Sequence, residues 1–116
     1  MVRVSLLCAL LMSACGGGSS GSGVTGTKKL VDLSASERDK MCAFEVDAEG
    51  GARTVDCPGG TQVTIHDKAT CLTDFAAISP TCTATVKQAE TCFDAVGMDP
   101  CNFGGGACTA VLQCFL

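Results

Sequence analysis

Cysteine is the residue type in this 116-residue chain with the most chemistry to offer, and its spacing decides which chemistry that is. Ten are present. Cys8 and Cys15 stand near the start, and the other eight are Cys42, Cys57, Cys71, Cys82, Cys92, Cys101, Cys108 and Cys114, separated by gaps that shrink from fourteen intervening residues to five. Thiolates at such positions could attack a substrate, hold a metal or pair with one another. Zinc and iron–sulfur sites favour short paired spacings such as C-x-x-C, and none occurs. An even set of eight suits four disulfides in an oxidising compartment, so no metal and no cofactor is expected. Paired sulfurs are also unavailable as nucleophiles. Connectivity is open, since eight cysteines allow about a hundred pairings. Locality favours Cys71 with Cys82 and Cys101 with Cys108, which leaves Cys42 with Cys57 and Cys92 with Cys114 if helix faces meet.

The other candidates are acids and one histidine. His66-Asp67 ahead of Cys71 is similar to the His-Asp pair of secreted phospholipases A2. The adjacent cysteine pair before that histidine is missing, and Asp47-Ala48-Glu49-Gly50-Gly51 makes a poor calcium loop. A catalytic histidine needs a positioned partner in a pocket, whereas a histidine at a strand end beside a capping aspartate is normally solvated. Glu45, Asp47 and Glu49 read as a wet helix end, without the ligand alternation calcium requires. No catalytic residue is therefore assigned, and the chain is not expected to be an enzyme. A minimal lipid-active hydrolase using His66 and Asp67 is the alternative.

Stepping along the chain, Arg3, the apolar run 4–11 and Met12-Ser13-Ala14-Cys15 follow the order of an export signal with small residues at the cut. The run is far short of the roughly 20 residues of a membrane-spanning helix. The pattern resembles a bacterial lipobox, with Met12 where Leu is usual, which implies cleavage after residue 14 and acylation of Cys15. Residues 15–27, rich in Gly, Ser and Thr, are expected to be a flexible tether. Once Arg3 leaves with the signal, seven Lys and Arg face twelve Asp and Glu. This acidic balance, with no Trp or Tyr, argues against nucleic acid as a partner and against electrostatic attachment to anionic lipid. Membrane attachment would come from the acyl chains on Cys15.

Residues 28–116 are expected to form one small disulfide-rich domain, mainly α with one β-hairpin. Ser34 and Glu37 form a capping box for a helix over 35–46 that turns Met41, Cys42 and either Glu45 or Phe44 inward. Segments 52–57 and 61–65 flank Pro58-Gly59-Gly60 as a hairpin, with Val55 and Cys57 of one segment and Val63 and Ile65 of the other inward and Thr54, Asp56, Gln62, Thr64 and His66 outward. Asp67 caps a helix to about residue 78. Thr85 and Gln88 cap the next, whose stripe is Val86, Ala89, Cys92, Phe93 and Val96, with Gly97 expected in the left-handed position after it. A last helix over 106–115 would show Cys108, Val111, Leu112 and Phe115 on one face.

Taken together, the lipobox, the Gly/Ser tether, the opening Leu33-Ser34-Ala35-Ser36-Glu37-Arg38, the run Glu90-Thr91-Cys92 and Asp99-Pro100-Cys101 resemble the small cysteine-rich lipoproteins common in myxobacteria. That family has no assigned chemistry to carry over. Gly16 after the acylated cysteine is similar to lipoproteins sent to the outer membrane, which implies an envelope location facing the periplasm or the exterior. The function expected is a non-catalytic, membrane-anchored module presenting a rigid binding surface to an unidentified protein partner. One version is an inhibitor of secreted hydrolases using the loops Pro58-Gly59-Gly60 and Asn102-Phe103-Gly104.

Overall fold

The computed structural model describes residues 21–102 and 105–116, so Cys15, the expected export signal, the first part of the expected tether, Phe103 and Gly104 lie outside the described residues. The fold is the expected one: mainly helical, with one two-stranded antiparallel hairpin and four disulfides.

Helix α1, Ala35–Ala48, begins where its capping box places it: Ser34 Oγ accepts from the Glu37 amide and Glu37 Oε1 accepts from the Ser34 amide. Lys28 Nζ also donates to Glu37 Oε1 at 2.7 Å, and this hydrogen bond is the main reason the Glu37 carboxyl sits down at about 2. The helix runs two residues past its expected end and stops at Gly50 and Gly51, both with positive φ, which a glycine adopts without steric cost. Strands β1, Arg53–Asp56, and β2, Gln62–Ile65, pair with Val55 opposite Val63 and Arg53 opposite Ile65. Ile65 is buried and Val55 and Val63 half-buried, while Thr54, Asp56, Gln62, Thr64 and His66 are exposed, as the alternation requires.

Helix α2, Lys68–Ala76, starts at Asp67, whose carboxylate accepts from the Thr70 amide, and buries Cys71 and Phe75. Helix α3, Val86–Met98, carries the second capping box, Thr85 with Gln88, and buries the whole expected stripe. The reading of Gly97 as a left-handed cap is corrected: it lies inside α3, and the stop falls at Asp99, which precedes Pro100 and is pushed out of the helical region by the proline ring. Gly97 is where α3 touches the end of α1. A Cβ there would stand 2.1 Å from the Ala48 carbonyl oxygen. Gly97→Ala is therefore expected to lower stability by about 1–3 kcal/mol despite the better helix propensity of alanine, read as a shift in the urea midpoint.

The C-terminal segment departs from the single helix expected over 106–115. It is a 3-10 turn, Gly105–Cys108, a short helix α4, Thr109–Leu112, and another 3-10 turn, Gln113–Phe115. Its buried residues are Cys108, Val111 and Cys114, a spacing of three that suits three residues per turn, because two bridges fix both ends. Leu112 and Phe115 are thereby turned outward, 43% and 36% exposed.

The expected tether boundary at residue 27 also shifts. From Gly21 the chain lies on the domain: Val24 is buried, the Ser22 amide donates to the buried Glu90 carboxylate, and the Lys87 amide donates to the Gly26 carbonyl. Lys29 and Thr85 form a bridge that brings Leu30 into the core beside Met41 and Val86. Glu90 tolerates burial because it receives a backbone hydrogen bond.

All four expected cysteine pairings are corrected. The bridges are Cys42–Cys71, Cys57–Cys101, Cys82–Cys114 and Cys92–Cys108. Short sequence distance loses to facing helices. Cys42 and Cys71 occupy the buried faces of α1 and α2 where those helices pack, and Cys92 on α3 meets the turn carrying Cys108. Cys57, at the hairpin end, reaches forward to Cys101 in the 3-10 turn Pro100–Asn102.

Candidate functional site

Packing α1 and α2 on α3 and closing one end with the C-terminal turns leaves a cavity of about 180 Å³. Its walls are apolar: Phe75 from α2, Phe93 and Val96 from α3, Val111 from α4, with the sulfurs of Cys71 and Cys92 between them. Phe115 stands edge-on to Phe75 with ring centroids 5.5 Å apart, and with Leu112 it forms a partly exposed lip. The mouth is acidic. Glu45 and Glu49 project from α1, Asp74 from α2, and His66 from the end of β2.

The acidic run at the end of α1 is thus not uniformly wet. Asp47 is exposed, but Glu45 and Glu49 are four residues apart and share the helix face turned to the cavity, and Glu49 is only 6% exposed. Burial raises the Glu45 carboxyl to about 7, with Glu49 and Asp74 adding to the rise and His66 opposing it. Burial likewise raises Glu49 to about 7, partly offset by Arg53. Arg53 does not pair with that carboxylate; its guanidinium donates to the backbone carbonyls of Glu49 and Gly51. Glu45 Oε2 lies 2.9 Å from Cys71 Sγ. That sulfur has no proton to give, being bridged to Cys42.

These raised carboxyls carry a sign for stability. Between the unfolded value near 4.5 and about 7 the folded state holds more protons than the unfolded chain, so stability falls as pH rises through that window. Glu37, lowered to about 2, acts the other way and loses its contribution as pH falls below 4.5. The urea midpoint is expected to peak near pH 5 and to decline toward pH 8, with Glu49→Gln flattening the alkaline side.

The pair of His66 with Asp67 that the alternative reading needs does not assemble. Asp67 is committed to capping α2, its carboxyl lowered by the hydrogen bond from the Thr70 amide. His66 Nδ1 instead faces Asp74 Oδ2 at 3.4 Å, both side chains nearly half exposed. Asp74 was not singled out from the sequence, although the capping role of Asp67 frees His66 for another acid and Asp74 adjoins the inward Phe75. Among the described residues no serine, threonine or free thiol lines the cavity, so the pair has no protein nucleophile beside it. Cys42, Glu45 and Cys71 bring potential ligand atoms within 4.8 Å of one another. With both sulfurs in a bridge, only the carboxylate could coordinate a cation.

The eight domain cysteines are all placed by the four bridges, while Cys15 lies outside the described residues. No helix among the described residues is long and apolar enough to cross a membrane. No protein-family model, curated protein or solved structure matches the chain.

Proposed function

We propose that this protein is an exported, lipid-anchored, non-catalytic binding module whose working surface is the acid-rimmed apolar cavity. Cavities with apolar walls and a few convergent polar groups are the usual form of ligand sites, and the buried Glu49 at this mouth is the observation that carries the reading. Four disulfides fit an exported protein, since such bridges persist in oxidising compartments. The lipobox-like Met12-Ser13-Ala14-Cys15 supports acylation at Cys15, and Gly16 supports the outer membrane as destination. The acyl chains, rather than the acidic domain, would supply the membrane affinity.

The anchor has a direct check. Intact-mass spectrometry of the membrane fraction is expected to show residues 1–14 missing and acyl mass on Cys15, and Cys15→Ala is expected to move the protein from the membrane pellet to the soluble fraction. Retention of the first fourteen residues, or an unchanged pellet for the variant, overturns the anchor.

A hydrolase has one observation in its favour, the pair His66 and Asp74 at the cavity mouth. Were it catalytic, His66→Ala would abolish phospholipid turnover. The binding reading expects no turnover to lose.

A further inference from the structure

The cavity and its rim together specify a ligand. We propose that the site binds a small primary amine carried on a benzene-sized apolar body, the ring lying among Phe75, Phe93 and Val111 and the ammonium reaching Glu45 and Glu49. This rests on the binding-module reading and names the chemistry of its ligand.

Size comes first. Apolar cavities of about 150 Å³ admit benzene, and this one is about 180 Å³. The walls offer ring faces and branched aliphatic groups and no polar side chain below the mouth. A polar ligand body would therefore lose its hydration without replacement.

Charge decides the head group. Glu49 is 6% exposed and lines the cavity, yet among the described residues no donor reaches its carboxyl, the Arg53 guanidinium being turned to backbone carbonyls. Among the described residues only Arg38 Nε is buried without a partner, so the Glu49 oxygens still meet solvent at the mouth, and a ligand cation would replace that water and pair with them. An ammonium brings three donors, enough for Glu45 and Glu49 with one left for Asp74 or water. The charged and titratable groups facing these acids are Asp74 of α2, His66 after β2 and Arg53 of β1, while α3 and α4 present only apolar side chains and a bridged cysteine. A bare divalent ion fits poorly. Among the described residues the one cluster of three or more potential ligands is Cys42, Glu45 and Cys71, two of them bridged sulfurs, so no set of three rim groups stands ready for one ion.

Binding should then follow the ionisation of the rim. An alkylammonium keeps its charge well above pH 8, whereas Glu45 and Glu49 lose theirs below about 7. Affinity is strongest on the alkaline side.

The test is isothermal titration of the purified, oxidised chain in detergent, with detergent alone as blank, using phenethylamine, 2-phenylethanol and phenylacetate at pH 8 and pH 5. Phenethylamine is expected to bind at least about tenfold more tightly than the alcohol at pH 8, as a charge-assisted hydrogen bond in a buried site requires. That advantage is expected to vanish at pH 5 and in Glu49→Gln. If the variant does not fold, the comparison of three ligands at two pH values in the unaltered protein decides alone. Equal or tighter binding of the alcohol or of phenylacetate at pH 8 overturns the amine and leaves a binding cavity. No binding of any of the three overturns the amine and the binding module together.

Discussion

Reducing the four bridges is expected to unfold the domain at 25 °C. In the chain-entropy account, closing loops with sequence separations of 29, 44, 32 and 16 residues stabilises the folded state by about 3–4 kcal/mol per bridge. Small domains have a total stability of only about 5–15 kcal/mol. Losing all four exceeds that margin even after allowance for overlapping loops, whose contributions do not simply add. The interior has few large rings: among the four described Phe, Phe75 and Phe93 are the buried ones, and the sequence has no Trp or Tyr. Far-ultraviolet circular dichroism before and after addition of a phosphine reductant measures it. A helical spectrum that survives complete reduction, with eight free domain thiols counted, would show that packing alone holds the fold.

Phe75→Ala is the single substitution expected to cost most, about 3–5 kcal/mol. Phe75 is 1% exposed, lies on α2 one turn from the bridged Cys71 and supports both the core and the wall of the cavity. Its removal also takes away the edge-on partner of Phe115, an aromatic contact worth about 0.5–1.5 kcal/mol beyond area alone. The surroundings cannot collapse to fill the space, because Cys71 and Cys92 tie the neighbouring backbone by disulfides. For a domain of this size the loss corresponds to a fall in Tm of well over ten degrees, about 4–8 °C for each kcal/mol. A calorimetric shift of only a few degrees would mean that the side chain is less committed to the core than its burial indicates.

What was legible in the sequence is what a few neighbouring residues decide among themselves. Ser34 with Glu37 and Thr85 with Gln88 each close their hydrogen bonds within one turn, so the starts of α1 and α3 follow without knowledge of the rest. The hairpin follows from Pro58-Gly59-Gly60 and period-two alternation, and its register bears this out. Long-range facts were hidden. Nothing near Gly97 announces that a carbonyl of another helix lies against it, and so a packing glycine resembles a cap. Val24, one apolar residue among Gly, Ser and Thr, offers no periodicity, though it is buried. The rim of the cavity was half visible: Glu45 and Glu49 share a face by spacing, but that this face meets Phe75 and Phe93 depends on how α1, α2 and α3 are stapled. Pairing by proximity along the chain failed for the same reason.

The interlocking of the covalent loops has one more consequence. The spans 42–71, 57–101 and 82–114 overlap end to end, so every peptide bond from Cys42 to Cys114 lies inside at least one of them. A proteinase that nicks the chain once anywhere in that stretch liberates no fragment; the severed ends stay fastened to the same molecule. With the bridges formed, this confers a tolerance of single cuts that no amount of added core could provide.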